Sequence, residues 1–224
     1  MAPRSEPVME SRARLNRERV LGTAIRLADA EGIERLTMRK LGVELGVEAM
    51  SLYNHVSNKG DLLHGMIDAV FAEIELPPPA DDWKTALRKR SLSVREMLSR
   101  HPWANGLMDS GTSPGPATLR HHDRVLGTFR RAGFSVAMTA HAFSVLDAYI
   151  YGFAKQERGL PFDSGEQAAA MAHVMLAHLP ANEYPHLAEL TSQHVLQPGY
   201  SFAEEFGFGL DLVLDGLERA RDAE

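Results

Sequence analysis

Apolar residues recur every three or four positions along most of the 224-residue chain, which is the spacing of helices that bury one face. Alternating runs of β-branched residues, typical of strands and hairpins, do not occur. The pattern therefore predicts an all-α fold. Before residue 77 it predicts four helices, over 16–31, 37–45, 48–55 and 58–75.

Capping residues and glycines set these boundaries. Thr37 and Asn58 stand where a side chain accepts a hydrogen bond from the first turn of a helix. Gly32 and Gly46 follow helices, where a residue that tolerates a left-handed backbone is favoured. Pro77-Pro78-Pro79 cannot continue a helix, so we place a domain junction there.

Beyond the prolines the pattern predicts a larger helical domain. Helices are expected over 81–100, 117–131, 135–157 and 201–220, with capping boxes that start at Ser164 and Ser201. No element is assigned to 180–199. The predicted organisation is an N-terminal domain of residues 1–57 with an ordered core over 15–57, a connecting helix over 58–76, and a C-terminal domain over 77–224.

The segment from Leu36 to Lys59 carries the clearest functional pattern. Two short helices meet at Gly46, and their apolar residues are spaced to pack against the first helix: Leu41, Leu45, Val47, Leu52 and Val56. The outer face keeps groups suited to phosphates and bases: Ser51, Tyr53, Asn54, His55 and Lys59. A helix of this length fits the DNA major groove, so a helix-turn-helix domain is predicted, with a plain helical hairpin as the alternative.

Charge is divided unevenly along the chain. The net charge is −6, but residues 1–60 carry +2 and residues 61–224 carry −8, so a basic face can bind phosphates while the remainder stays acidic. The chain has no cysteine, which excludes disulfides and cysteine metal sites and fits a cytoplasmic location. No signal peptide is predicted, and Gly133–Ala154 is expected to be a buried or interfacial helix rather than a membrane span.

The N-terminal motifs resemble the TetR family of bacterial transcriptional repressors over about residues 15–75. The matching runs are Thr37-Met38-Arg39-Lys40-Leu41, Leu45-Gly46-Val47, Leu52-Tyr53-Asn54-His55-Val56, Asn58-Lys59 and Leu62-Leu63. The C-terminal domain resembles that of the tetracycline repressors, through Trp83, His101, Gly111-Thr112, Pro114, Gly133-Phe134-Ser135, Phe206-Gly207, Gly209-Leu210 and Gly216-Leu217-Glu218. The resemblance implies a three-helix DNA-binding domain with a helix-turn-helix plus a larger helical ligand-binding and dimerisation domain.

By this resemblance the partners are a double-stranded DNA operator, a small-molecule effector and a second copy of the chain. Arg39 would contact a base or its phosphate, and Ala49 and Met50 would stand at base-reading positions. The DNA backbone would be contacted by Thr37, Ser51, Tyr53, His55 and Lys59. The dimer would form through two long C-terminal helices, and the apolar stripe expected at its interface is Phe202, Phe206, Leu210, Val213 and Leu217.

The effector pocket is expected between helices 81–100, 117–131 and 135–157, under a loop over 108–116. Its predicted lining is Arg90, Val94, Met97, Met108, Asp109, Thr112, His122, Val125, Phe129, Phe143 and Asp147. The arginine, histidine and carboxylates would be the few polar anchors of an apolar site. Simple core packing is an equal alternative for Val94, Val125 and Phe129, and a dimer-interface role is an equal alternative for Asp147.

No metal or cofactor is predicted. The tetracycline repressors bind a drug–magnesium chelate through a His and a Glu, and these positions here match Asp109 (or Met108) and Gln156, so a magnesium-chelated ligand is only an alternative. The histidines, His121 and His122 included, are expected to be solvated or to line the pocket. The predicted function is a non-enzymatic, ligand-released repressor, with a helical enzyme or a ligand-independent DNA-binding activator as alternatives.

Overall fold

The computed structural model describes residues 14–76, 78, 82–108 and 114–224. All regular structure within these ranges is helical, which confirms the predicted all-α class. The α-helices are α1 (Arg17–Glu31), α2 (Met38–Leu45), α3 (Ala49–Leu52), α4 (Lys59–Phe71), α5 (Trp83–Arg100), α6 (Pro102–Met108), α7 (Pro116–Arg131), α8 (Val136–Arg158), α9 (Gly165–His178), α10 (Pro185–Leu190) and α11 (Phe202–Asp222). A 3₁₀ turn covers Ile33–Arg35 and a π-helical turn covers Thr191–Val195.

Local capping explains where the N-terminal helices begin and end. The Asn16 side chain accepts a hydrogen bond from the Arg19 amide at 2.8 Å, and the Thr37 hydroxyl accepts one from the Lys40 amide at 3.1 Å. Gly46 ends α2 with a φ of 68°, in the left-handed region that glycine tolerates best. The turn predicted between the two short helices is therefore present.

Two of these helices are shorter than predicted. The α3 helix ends at Leu52, and residues 53–55 form turns, because Val56 must fold inward before Asn58 caps the next helix. The α4 helix ends at Phe71, and the chain then turns so that Ile74 still reaches the core.

The C-terminal domain is built around α5, α7 and α8, which contact one another, with α11 against α8. The helix predicted over 81–100 ends at Arg100 as expected, but the chain enters a new helix at once, and α6 was not predicted. Phe134, just before α8, packs edge-on against Trp83 at a ring distance of 5.1 Å and against Phe129 at the same distance. These rings join α5 and α7 to the start of α8.

The predicted dimer stripe is wrong in its direction. Phe206 and Leu210 are completely buried within a single protomer and Leu217 is nearly so, while Phe202 and Val213 are half-buried. The stripe faces inward because α11 packs on α8, where the Phe206 ring stacks on Tyr149 at 5.4 Å. The exposed apolar side chains of α11 are instead Phe208 and Leu212.

The segment after α8 packs more loosely. The α9 helix is capped at Ser164 as predicted, but it buries only Ala168 and Ala172. Ser201 stands before α11 without a side-chain capping bond, so the capping box predicted there does not form. None of the described helices is long and apolar enough to span a membrane.

Candidate DNA-binding surface and effector site

The candidate DNA-binding surface is the outer face of α3, and it is held in place by close packing of α2 against α3. Leu41, Leu45 and Leu52 are buried beneath it. Gly42 permits the close approach, because a Cβ atom there would lie 2.9 Å from the Val47 carbonyl oxygen. The outer face of α3 is thereby fixed in direction and left open.

The residues predicted to contact DNA reach the surface to different degrees. Thr37, Arg39, Met50, Tyr53, Asn54 and Lys59 are exposed, while Ala49, Ser51 and His55 are half-buried. The Met50 side chain is 76% exposed, although exposure of an apolar side chain to water does not stabilise a monomer. An exposed apolar side chain flanked by hydroxyl and cationic groups fits a surface that meets base edges and phosphates.

A charged contact that was not predicted from the sequence joins α1 to the turn after α3 and to the start of α4. The Arg17 guanidinium in α1 donates to the Asp61 carboxylate at 2.6 and 3.1 Å and to the His55 carbonyl at 2.8 Å. The hydrogen bond from Arg17, reinforced by the Ser57 amide, lowers the pKa of Asp61 to about 2. The recognition segment, which comprises α3 and the turn over residues 53–55, is thus held at its end by both α1 and α4.

The C-terminal domain contains a buried polar cluster. Arg90 in α5 is completely buried. It donates through Nε and Nη2 to His121 Nε2 at 3.1 and 3.0 Å, and its Nη1 lies 2.7 Å from Asp147 Oδ1. A buried cation requires such partners, and three helices supply this cluster.

His121 is neutral within the cluster. Burial, with the neighbouring Arg90 charge, lowers its pKa to about 3. Because Nε2 accepts from Arg90, the single proton of the ring must be on Nδ1. His121 Nδ1 is buried and has no hydrogen-bond partner among the described residues, and Arg90 Nη1 and Asp147 Oδ1 lack a well-directed one.

Aromatic side chains surround the cluster. The His122 ring lies 5.4 Å from Phe143 and 5.9 Å from Phe71, and Phe71 also contacts His121 at 5.4 Å. Desolvation lowers the pKa of His122, although the Asp147 charge opposes this shift. Burial, assisted by Asp147, raises the pKa of the Tyr151 hydroxyl.

The cluster contains predicted residues and residues that the sequence analysis missed. It brings together Arg90, His122, Phe143 and Asp147 as predicted, and it places Asp147 inside the protomer. Tyr151 and Phe71 were not predicted to line it, and His121 was expected only to be either solvated or pocket-lining. The available signal was Arg90 itself, since an arginine on the buried stripe of a helix needs acceptors from its neighbours.

The remaining residues predicted for the pocket differ in their surroundings. Val94, Met97, Val125 and Phe129 are completely buried in the core, so they pack against neighbouring side chains rather than line an open space. Met108 is half-buried at the end of α6. Asp109 and Thr112 lie outside the described residues.

Two surface cavities lie away from the cluster. One of about 340 Å³ is enclosed by the ends of α5 and α8 and the starts of α9 and α11. The other, of about 500 Å³, lies between the end of α1 and α6. Neither is lined by a residue predicted for the effector pocket. Among the described residues, no three His, Asp or Glu side chains are grouped so that they could hold a metal ion.

Comparison with known proteins defines the class of this fold. Residues 76–221 match the family described as the tetracyclin repressor-like C-terminal domain, and residues 20–66 match the bacterial regulatory proteins of the tetR family. The chain therefore belongs to the TetR family of transcriptional repressors.

Individual relatives cover nearly the whole chain. The HTH-type transcriptional repressor DrrR1 of Streptomyces coeruleorubidus is 33% identical over 91% of this chain and 77% of its own length. The class A tetracycline repressor of Escherichia coli is 28% identical over 90% of both chains. ActR of Streptomyces coelicolor in complex with actinorhodin is 28% identical with a TM-score of 0.77, over 93% of this chain and 99% of that chain.

Proposed function

We propose that this TetR-family protein is a ligand-responsive repressor, which binds a palindromic operator as a homodimer and is released by a small-molecule effector. The observation that carries the proposal is the Arg90 cluster. Burying an arginine and a carboxylate is costly even when they are paired, so a buried pair is weak evidence of a role in stability alone. A few polar groups among aromatic side chains are, however, the usual lining of a small-molecule site.

The cluster favours an aromatic effector with hydrogen-bond acceptors. The proton on His121 Nδ1 and the Arg90 guanidinium are both donors, and the rings of Phe71, His122 and Phe143 offer faces for stacking. ActR has been observed in complex with actinorhodin and with (S)-DNPA, which supports a small-molecule effector for this protein. We assign no metal, cofactor or catalytic activity, and we place the protein in the cytoplasm.

The homodimer is proposed to form through the outer faces of α8 and α11. Val145 is 49% exposed in α8, and Phe208 and Leu212 are 68% and 56% exposed in α11. Exposed apolar side chains grouped on two neighbouring long helices are typical of a self-association surface. Phe208→Asp should give monomers, whereas Leu119→Asp, at an exposed leucine of α7, should leave the dimer intact in light scattering.

The test begins with DNA. Selection from genomic fragments at low salt should enrich a palindromic site, and Tyr53→Ala or Lys59→Ala should weaken binding to every sequence and reduce the salt slope by about one. Met50→Ala should instead change which base is preferred. Lys155→Ala, at an exposed lysine far along α8, is the matched control. Failure to enrich any site would contradict the repressor function.

The effector is then sought by thermal shift against aromatic compounds, with actinorhodin as the first probe. A true effector should stabilise the wild type and release it from the selected DNA. Asp147→Asn and His121→Gln should both reduce this response. A compound that acts equally on wild type and on both variants would show that the effector site lies outside the Arg90 cluster.

A further inference from the structure

The cavity of about 340 Å³ lies where four helix ends meet in the C-terminal domain. It is bounded by the ends of α5 and α8 and by the starts of α9 and α11. Sites that bind small organic molecules usually have a volume of about 300–1,000 Å³. Within the described part of the chain, the side chains that form the Arg90 cluster do not line this cavity. A ligand bound here would therefore not depend on them.

Small side chains create the space. Three alanines line it, one each from α8, α9 and α11: Ala154, Ala168 and Ala203. The starts of α9 and α11 also approach each other closely, because a Cβ atom on Gly165 would lie 2.5 Å from the Tyr200 carbonyl oxygen. A larger side chain at one of the alanines would fill the space that a ligand could occupy.

The wall formed by α5 and α8 is fixed by an ion pair that lies over aromatic rings. Arg95 donates through Nε to Glu157 at 3.0 Å and through Nη2 to the second carboxylate oxygen. Its guanidinium lies 5.3 Å from the centre of the Phe153 ring and 4.9 Å from that of Phe206. Phe202, at the start of α11, stacks on Phe153 at 5.0 Å. Since this wall is already ordered, a ligand loses little binding free energy in arranging it.

The side chains that line the cavity indicate an aromatic ligand with polar groups. Phe162, Tyr200 and Phe202 line it and are only half-buried, so aromatic surface remains for a flat apolar ligand to cover. The hydroxyls of Ser99 and Ser201 also line it, and they make no hydrogen bond to another described residue. Each of these hydroxyls can both donate to a ligand and accept from it.

The charges of the lining balance each other. Arg95 and Glu157 form a pair, and the other charged side chains that line the cavity are one cation, Arg158, and one carboxylate, Asp163. An ion of either sign would meet a repelling charge as well as an attracting one. It would also lose part of its hydration, a cost that an uncharged molecule avoids.

We propose that this cavity is a second ligand site, separate from the Arg90 cluster, and that it binds an uncharged aromatic compound bearing hydroxyl groups. The aromatic body lies against Phe162 and Phe202, and the hydroxyls pair with Ser99 and Ser201. A ligand in this position holds the start of α9 against the start of α11. The site goes beyond the proposed function, which requires an effector only at the Arg90 cluster.

The probe for this site is 2-naphthol, which is aromatic, carries one hydroxyl and is uncharged at neutral pH. Titration calorimetry of the full chain without DNA should detect its binding. Ala203→Phe and Ala154→Phe should each raise the Kd by about tenfold or more, because the new ring occupies the space, and the second variant serves if the first does not fold. The matched control is Ala170→Phe, at an exposed alanine of α9 outside the cavity, which should leave the Kd unchanged. Asp147→Asn, in the Arg90 cluster, should leave it unchanged as well.

Hydrogen exchange of the wild type then locates the bound probe. Saturating 2-naphthol should slow amide exchange in residues 160–168 and 199–204 and leave residues 116–122, beside the Arg90 cluster, unchanged. The site would be overturned by a wild type that does not bind 2-naphthol, by binding that both filled variants retain, or by protection confined to residues 116–122. Tighter binding of the anion 2-naphthoate or of the cation 2-naphthylmethylammonium would overturn the assignment of an uncharged ligand.

Discussion

The N-terminal DNA-binding region and the C-terminal domain place their charged and polar groups in opposite ways. In the N-terminal region these groups lie on the surface, and its capping bonds join residues three positions apart, such as Thr37 with Lys40 and Asn58 with Asp61. In the C-terminal domain Arg90 is completely buried, and its partners come from two other helices. The first arrangement costs little and is fixed locally, while the second depends on the whole domain.

The largest expected effect comes from breaking the buried arrangement. Arg90→Ala leaves Asp147 without its cation and His121 Nε2 without its donors. Removing one partner of a buried ion pair destabilises a protein by about 3–5 kcal/mol, and we expect a loss of free energy of unfolding in that range in urea titrations.

Two control variants distinguish the loss of a buried ion pair from the ordinary loss of a surface charge. Arg88→Ala, two residues away in α5, removes a partly exposed arginine paired with Asp211, and it should cost less than about 1 kcal/mol. The double variant Arg90→Met with Asp147→Leu should recover most of the stability, because a packed apolar pair has no desolvation cost. A double variant as unstable as Arg90→Ala would mean that packing volume, not charge, dominates the site.

The same contrast explains what could be predicted from sequence. The helix starts at Thr37, Asn58 and Ser164 follow from neighbouring residues, and so does the exposed face of α3. Arg90 and Asp147 were identified as site residues, but the partnership with His121 depends on how α5, α7 and α8 pack. The direction of α11 was also beyond local pattern, since either face of that helix is apolar enough to be buried.

A smaller loss of stability is expected in the DNA-binding region, where the sensitive feature is close packing rather than a buried charge. Gly42→Ala would place a methyl group 2.9 Å from the Val47 carbonyl oxygen and 3.2 Å from the Ala49 amide. Both are backbone atoms that cannot rotate away, so we expect a loss of about 1–3 kcal/mol in unfolding experiments and weaker DNA binding.

Gly22 provides the matched control for that substitution. It lies inside α1, and a Cβ atom there would meet nothing within 4 Å. Gly22→Ala should therefore stabilise the protein by about 0.5–1 kcal/mol through the better helix propensity of alanine. Equal effects at the two glycines would show that the tight contact between α2 and α3 is not what requires Gly42.

The smallest effect is a difference between the two regions in their response to acid. His121 has its pKa lowered to about 3 in the folded protein, below the ordinary value of 6.5, so the unfolded chain binds a proton that the folded chain does not. The stability of the folded protein is therefore unaffected by this group above pH 6.5 and falls as the pH is lowered from 6.5 towards 3, by at most about 1.4 kcal/mol per pH unit.

Asp61 also has a lowered pKa, but for a different reason: its charged form is stabilised by Arg17. Its pKa of about 2 means that the Arg17 contact stabilises the fold above pH 3.8 and is lost only between 3.8 and 2. Urea unfolding from pH 7.5 to 4.5 should thus show a slope that His121→Gln reduces and Asp61→Asn leaves unchanged. A wild-type slope retained in full by His121→Gln would show that the pKa of His121 is the same in the folded and unfolded states, and the donor assigned to Nδ1 would then no longer follow from a lowered pKa.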